Sequence, residues 1–391
     1  MKTRKIIHLD LDAFFCAVEE LRQPELRGRA FAVGGQVSQR GVISSCSYAA
    51  RQKGVRSAMP TSQALRMCPE LIVLPSTYGA YSQASEQVMG ILRNLTPLIE
   101  QISIDEAFLD VSDLPQPGIE IARELQTQIR RELNLPCSLG IATNKLVAKM
   151  ATDVGKSANR GPGYPNSILD VPPGEEEYFL APLPVRTLWG VGPRMEEHLA
   201  EMGIRTIGQL AAVPEPRLVE RFGKWGVELA LHARGLDDSP VYTEHTVKSI
   251  SQETTFDRDI SDPLVLEQTL RDLTEQVGLR LRQNEFCART VRLKLRWPDF
   301  STPTRQMTLQ QPTDQDGILF AAIQGLFLKL WRPGRAVRLL GVGASGLSPR
   351  VHQLTLWETT TAKERRLLEA LDELRQRYGK QVIRKGRSMK K

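Results

Sequence analysis

Two stretches without hydrophobic period cut this chain into modules, and they constrain its fold more than any other feature. Residues 161–174 read GPGYPNSILDVPPG, dense in proline and glycine, and residues 236–249 are polar and acidic. The segments on either side must each bury their own core, as a length of 391 residues also requires. No apolar run approaches the roughly 18 residues of a membrane span. Even residues 318–331 are interrupted by Gln324 and Lys329. The basic start is followed by Asp10 and Asp12, which fall inside what would be the apolar region of a signal peptide. A cytoplasmic location is therefore expected. The five cysteines form no CxxC pair and no paired Cys/His spacing, which argues against a disulfide framework and a structural zinc site. Any metal must be held by oxygen.

Charge is segregated along the chain. Residues 361–391 carry eleven Lys/Arg against four Asp/Glu, which accounts for the whole net charge of +7. In the remainder, residues 237–279 carry three basic and ten acidic side chains, whereas residues 280–345 carry eleven and four. A basic face built for a polyanion is expected in that second stretch.

Residues 5–9 read as a short buried strand ending at Asp10, after which Phe14, Ala17, Val18 and Leu21 recur at helical spacing. Ile121, Leu125, Ile129 and Leu133 form a second helical stripe, and Cys137, Leu139 and Ile141 alternate like a strand. The first 165 residues are thus mixed α/β. Residues 180–236 hold two short helical stretches, each preceded by a glycine turn, at Gly190-Val191-Gly192 and at Gly223-Lys224-Trp225-Gly226. A separate β-containing domain follows the acidic tether, and a charged helix over residues 363–378 precedes a basic end.

Asp10-Leu11-Asp12 closes one strand, and Ser103-Ile104-Asp105-Glu106 stands at another. Carboxylates converging from the two would suit hard divalent cations, Mg²⁺ above all, and paired ions clamp an in-line phosphoryl displacement. Strand alternation points Asp105 and Glu106 to opposite faces. Both can serve one site only where the strand terminates or bulges. On the first helix, Phe15 shares a face with Glu19 and Arg22, so it points away from the core beside the carboxylates. Ser45, Tyr48 and Arg51 are expected on a short helix, with Tyr48 and Arg51 on one face, where a hydroxyl and a planar guanidinium suit phosphate.

With these surroundings, DLDAFFCAVEE (10–20), RGVISSCSYAARQKGVRSAMP (40–60), SIDEAFLDVSD (103–113) and KSIS (248–251) resemble the motifs of Y-family translesion DNA polymerases, in particular the bacterial polymerase IV branch. The resemblance spans roughly residues 5–357. It implies an α/β (α+β) multidomain fold of right-hand form. The palm would be residues 1–12 and 76–168, the fingers 13–75, a helical thumb with helix-hairpin-helix elements 169–236, a linker 237–248, a little finger 249–345 and a tail 346–391.

By position, the resemblance makes Asp10, Asp105 and Glu106 the catalytic, metal-binding carboxylates, with the Leu11 carbonyl as a backbone ligand, and two Mg²⁺ ions as cofactor. Asp12 is expected to cap the following helix. Phe15 becomes a steric gate against the ribose 2′-hydroxyl. Tyr48, Arg51 and Lys156, with Ser45 and the backbone N–H groups of Ala13 and Phe14, would hold the triphosphate. Ser157-Ala158-Asn159-Arg160 departs from the family's usual Pro-Asn-Gly turn after the lysine. Gly34-Gly35, Val42, Ser44 and Ala58 match the small-residue roof over the nascent base pair.

Glycine turns opening helices, at Gly190 and Gly192, present backbone N–H groups to a phosphate. Val291, Leu293, Leu295 and Trp297 alternate with Arg292, Lys294 and Arg296, giving a strand with one apolar and one basic face. Arg332, Arg335 and Arg338 add a second basic group, with Val337 and Leu339 on the opposite face. Lys248 and Ser249 belong to the KSIS segment. These residues form the expected DNA-binding surface. Gln353, Leu354, Leu356 and Trp357 resemble the bacterial sliding-clamp-binding peptide.

The expected partners are primer-template DNA, a dNTP and the sliding clamp, with no membrane, and the chain is expected to act as a monomer. The expected activity is template-directed extension of primers by two-metal phosphoryl transfer, with low fidelity and low processivity. A two-metal nuclease or phosphohydrolase would use similar carboxylates but has no need of a sugar gate or triphosphate grip. A non-catalytic DNA scaffold would not need all three acids.

Overall fold

The computed structural model describes residues 4–159, 161, 163–244, 246–350, 367–368, 370–374 and 377–378. The chain divides into two compact units, Met1–His245 and Thr246–Lys391.

The first unit opens with β1 (Ile6–Leu11) and α1 (Phe14–Arg22), the strand, turn and helix read from the sequence. β2 (Phe31–Gly34), β3 (Ile43–Cys46), α2 (Tyr48–Gln52), α3 (Thr61–Met67) and β4 (Ile72–Leu74) follow. They build a three-stranded sheet in the order β3-β2-β4 over a small core that includes Ala32, Ile43, Cys46, Val55 and Leu71. Gly34 is demanded by close backbone packing, since a Cβ there would stand 2.5 Å from the Val42 carbonyl oxygen. Its glycine is thus explained by this sheet, whatever lies above it.

The chain then runs through α4 (Tyr78–Leu95), β5 (Ile99–Gln101), β6 (Glu106–Asp110), α5 (Gly118–Leu133), β7 (Cys137–Ala142), α6 (Lys145–Ala158) and β8 (Ile168–Asp170). A five-stranded sheet in the order β5-β6-β1-β7-β8 results, with β1 antiparallel to both neighbours. Because β1 is central and covered on both faces, all six of its residues are buried, including His8 and Asp10. α4 and α5 cover one face through Val88, Leu92, Ile121, Leu125 and Ile129. α6 covers the other so closely that a Cβ at Gly140 would lie 2.0 Å from the Ala148 carbonyl oxygen. Only glycine allows that approach. The expected boundary at residue 168 would cut β8, which belongs to this sheet.

Among the described residues five helices complete the unit, four of them within residues 180–236 where the sequence reading expects two: α7 (Glu176–Leu180), α8 (Pro193–Glu201), α9 (Ile207–Ala211), α10 (Glu215–Phe222) and α11 (Lys224–Ala233). The additional helices, α7, α9 and α10, are five to eight residues long, too short to show a clear 3.6-residue period. Thr206 and Gln209 form a reciprocal capping box on α9, a local start signal. The segment read as a tether is partly anchored: residues 237–242 are hydrogen-bonded to the body of this unit.

Among the described residues, the second unit holds a four-stranded antiparallel sheet, in the order β11-β10-β12-β9, packed with two long helices. Its elements are β9 (Ser249–Ile260), α12 (Pro263–Gln283), β10 (Phe286–Arg296), β11 (Thr304–Thr313), α13 (Asp316–Leu330) and β12 (Val337–Pro349). β12 runs past the expected boundary at residue 345. Leu270, Val277, Leu293, Leu295, Ile323 and Phe327 share its core. Of the charged helix expected over residues 363–378, residues 367–368, 370–374 and 377–378 are described and helical. Leu368 is buried, and Asp372 binds the buried Arg282 at 2.6 Å.

None of the five cysteines is in a disulfide. Among the described residues, no helix is long and apolar enough to cross a membrane.

Candidate active site and nucleic-acid interface

Antiparallel pairing of β1 with β6 sets Asp10 directly opposite Glu106. β6 begins at Glu106, and Asp105 lies in the preceding bend, its carbonyl accepting the Leu11 N–H at 3.0 Å. The strand therefore terminates between the two acids, which removes the alternation that would separate them. Ser103 Oγ donates to Asp105 Oδ1 at 2.5 Å and accepts the N–H groups of Asp105 and Glu106. One serine thus shapes the turn and orients a carboxylate.

Two lysines of α6 reach the acids. Lys156 Nζ donates to Asp10 Oδ1 at 2.6 Å and lies 3.4 Å from Asp12 Oδ1, while Lys149 Nζ donates to Glu106 Oε1 at 3.0 Å. Burial raises the Asp105 carboxyl above the usual carboxylate range, and the charge of Asp10 pushes the same way against the Ser103 hydrogen bond. Burial likewise raises Glu106; Lys149 opposes that rise and Asp10 reinforces it. Burial by itself would lower Lys156, but Asp10 and Asp12 together raise it above the ordinary lysine value. The sequence reading does not single out Lys149. Its spacing of seven from Lys156 places both on one helix face, which is a legible signal.

A cavity of about 290 Å³ opens here, lined by Asp10, Leu11, Ala13, Phe14, Phe15, Ser45, Arg51, Asp105 and Lys156. Phe15 stacks on Tyr81 with ring centroids 4.3 Å apart and meets the edge of Tyr78 at 6.3 Å. Its helix face is not solvated as the periodicity suggests. Glu19 is 1% exposed and accepts from the Tyr81 hydroxyl at 2.7 Å, because α4 packs against that face.

Asp12 does not cap α1. Ala13 is the N-cap residue, in left-handed backbone conformation, and no side chain caps the helix. The Asp12 carboxylate instead accepts from Ser138 Oγ at 2.9 and 3.0 Å and from the Asn166 N–H at 3.1 Å, tying three distant segments together. The first turn of α1 leaves backbone N–H groups without intrahelical partners, as every helix does.

Ser45 lies on β3 rather than on the following helix, and Ser47 is the N-cap of α2, accepting from the Ala50 N–H. Tyr48 and Arg51 do share a face: the guanidinium lies 4.7 Å from the Tyr48 ring, and Arg51 Nε donates to the Cys46 carbonyl at 3.1 Å. Tyr48 packs edge-on against Tyr164 at 5.4 Å, and burial pushes its hydroxyl up to about 12. Neither Glu106 nor Tyr48 is among the cavity's wall residues.

The donors of the cavity's acids are all carboxylate oxygens, the set a hard divalent cation takes. Among the described residues no group of three or more His, Cys, Asp or Glu side chains is arranged to hold a metal ion. Lysine ammonium groups meet Asp10 and Glu106 instead.

Farther along, Gly192 is the N-cap of α8 and Pro193 its first residue. Proline has no N–H, and the Val191 N–H is bonded to the Leu188 carbonyl, so this turn offers fewer backbone donors than the glycines suggest. Gly190, with φ of 96°, supplies the left-handed bend.

In the second unit, β10 alternates as expected: Val291, Leu293, Leu295 and Trp297 are buried, while Arg292, Lys294 and Arg296 stand on the other face. Arg292 pairs across β12 with Gly343, and Lys294 with Gly341, so small residues flank the cations. Ser249 opens β9, and Lys248 precedes it, exposed. Glu253 Oε2 accepts from Lys294 Nζ at 2.7 Å, an acid within the basic face that the sequence reading does not bring out.

Arg335 stacks over Trp297 at 3.6 Å and Arg338 over Phe300 at 4.4 Å. Val337 and Leu339 do not act as a pair. Both are buried, but the register with β9 shifts between them, so Val337 joins the main core while Leu339 falls in register with Arg296 and Thr255. Gln353, Leu354, Leu356 and Trp357 lie outside the described residues.

Residues 9–153 match the model of the impB/mucB/samB family, residues 247–356 that of the impB/mucB/samB family C-terminal domain, and residues 186–237 that of the DNA polymerase-iota thumb domain. The chain is 41% identical over 390 residues to a DNA polymerase IV of Desulfatibacillum aliphaticivorans, covering 98% of this chain and 96% of the relative. It is 38% identical over 399 residues to DNA polymerase IV 1 of Bacillus subtilis (strain 168), covering 100% and 94%. Its fold is similar to that of a Y-family DNA polymerase chimera, Dbh-Dpo4(243-245)-Dbh, with a TM-score of 0.77 at 24% identity over 88% of this chain and 99% of that one.

Proposed function

The chain belongs to the Y-family DNA polymerases, in the polymerase IV branch, and on that premise we propose that it extends primers past damaged template bases at the Asp10, Asp105 and Glu106 cluster. The observation that carries this reading is the pairing of Asp10 with Glu106 across adjacent strands, with Asp105 in the bend that leads into β6. No nuclease or scaffold needs the ring, lysine and arginine that share the cavity.

The acids, with the Leu11 carbonyl, would hold two Mg²⁺ ions, the oxygen-only set fitting that cation. Bound there, the ions would acidify the primer 3′-hydroxyl and neutralise charge on the triphosphate and departing pyrophosphate. Lys149 and Lys156 offset the mutual repulsion of the carboxylates before the ions bind, and Lys156 turns from Asp10 to a phosphate oxygen as the nucleotide enters. Arg51 and Tyr48 grip the β- and γ-phosphates, with Ser45 and the N–H groups of Ala13 and Phe14 as further donors. Phe15 excludes the ribose 2′-hydroxyl.

Residues 1–12 and 76–170 serve as palm, 13–75 as fingers, 171–236 as thumb and 249–349 as little finger. The turn at Gly190 and Gly192 and the face bearing Lys248, Ser249, Arg292, Lys294, Arg296, Arg335 and Arg338 hold primer-template DNA through its phosphates, without reading sequence. The 353–357 peptide binds the sliding clamp, and the protein acts in the cytoplasm as a monomer, dissociating after few additions unless clamped.

Incubation with Mg²⁺, dNTPs and a primed template carrying an abasic site tests the reading. Template-directed lengthening across the lesion supports it. Shortening of the primer would favour a nuclease, and retention without change a scaffold.

A further inference from the structure

Helix α6 carries both lysines of the site, and its first turn is held by chain from ninety residues away. Asn144 caps the helix, accepting the Val147 N–H at 2.9 Å, and its side-chain amide donates to the Gly235 carbonyl at 2.8 Å. Asp237 Oδ2 accepts the Leu146 N–H at 3.1 Å, and Asp237 is fixed in turn by the Ser239 N–H at 3.0 Å. A second, independent contact follows. Glu100 on β5, 8% exposed, accepts from Lys145 Nζ at 2.8 Å and from the Tyr242 N–H at 2.9 Å, and the Lys145 ammonium lies 5.0 Å from the Tyr242 ring. Arg4 donates to the Ser239 carbonyl at 3.0 Å. Residues 235–242, acidic and aperiodic in sequence, thus form a strap across the end of α6.

The physics of the strap is local. Two of the N–H groups orphaned at the start of α6 are satisfied, one of them by a carboxylate placed at the positive end of the helix dipole. At ~1.5 Å of rise per residue, Lys149 stands about 5 Å and Lys156 about 15 Å along the axis from Leu146. A packed helix moves as a unit, so a shift at its first turn reaches both lysines.

We propose that residues 235–242 are a positioning strap for the active site: Asp237 fixes the setting of α6 and thereby the meeting of Lys149 with Glu106 and of Lys156 with Asp10. The proposal rests on the polymerase reading of that cluster. It assigns Asp237 no contact with substrate, so its loss is read in the rate of incorporation and not in the affinity for DNA.

Single-nucleotide incorporation by the full chain in Mg²⁺, under single-turnover conditions on a primed template, tests it. Asp237→Ala is compared with Asp237→Asn, which keeps an oxygen for the Leu146 N–H. Asp238→Ala, an exposed neighbour with the same change of charge, is the control. Misplacement by 1 Å can cost about a hundredfold, so a partial release predicts a maximal rate about tenfold lower for Asp237→Ala. The primer-template Kd should stay within about twofold, Asp237→Asn should recover most of the rate, and Asp238→Ala should match the unaltered chain.

Tyr242→Ala, which keeps the N–H to Glu100 but removes the half-exposed ring beside the Lys145 ammonium, should lose rate to a smaller degree, and it decides the question should Asp237→Ala not fold. Unchanged rates in both alanine variants, an equal loss in Asp238→Ala, or a loss confined to DNA affinity would overturn the strap. An unaltered chain that adds no nucleotide would overturn the polymerase reading itself, and the strap's role with it.

Discussion

Tyr81 lies parallel to Phe15, their ring centroids 4.3 Å apart and their planes 12° from parallel, and its own hydroxyl is fixed to the buried Glu19. The partly buried Phe15 ring is therefore backed by a second, fully buried aromatic. Phe15→Ala should admit ribonucleotides, lowering discrimination between dATP and ATP by about tenfold to a hundredfold in primer extension. Tyr81→Ala should relax discrimination less, by letting the Phe15 ring retreat. Unchanged discrimination in Phe15→Ala would remove the gate.

Reversing charge at Arg292 and Arg296 should weaken DNA binding for every sequence alike. The slope of log Kd against log salt should fall by about 0.9 for each phosphate that is no longer neutralised. Titration of labelled primer-template at several salt concentrations measures this.

Glu253 sits on the same face and neutralises Lys294. Glu253→Gln should tighten DNA binding and steepen the salt slope by up to about 0.9, the opposite sign from the arginine reversals. A weaker complex would mean that Glu253 organises the face rather than attenuating it.

Arg282 is buried against Asp316 at 2.8 Å and Asp372 at 2.6 Å, and also donates to the Asp314 carbonyl. Replacing it with methionine removes the guanidinium from the buried Asp316 carboxylate, at a cost of about 3–5 kcal/mol. For a unit of this size that corresponds to a loss of roughly 10 °C in thermal midpoint. Asp372→Ala, which leaves the Asp316 pair intact, should cost far less by the same calorimetric measurement.

What the sequence disclosed and what it withheld divide along physical lines. β1, the first turn of α1 and the alternation of β10 are local patterns of period 2 or 3.6, and they stand where the spacing put them. The convergence of Asp105 and Glu106 was legible as a condition, and the start of β6 at Glu106 meets it. The failures are of two kinds. Cap geometry misled at Asp12 and Ser45, because Ala13 adopts a left-handed backbone and Ser47, two residues on, takes the N-cap of α2. Long-range packing was out of reach: nothing near Glu19 announces Tyr81, nothing near Lys145 announces Glu100 and Tyr242, and the bulge at residues 337–339 appears only when β9 and β12 are paired.

The most direct test of the account is the rate of single-nucleotide incorporation in Mg²⁺ by Asp10→Asn and Glu106→Gln, measured beside their affinity for primer-template DNA. Both variants should fold and bind DNA with nearly unaltered Kd while incorporating on the order of a thousandfold more slowly, as expected when a preorganised charge at the reacting centre is removed. Incorporation at the unaltered rate in either variant would contradict the assignment of the chemistry to these acids.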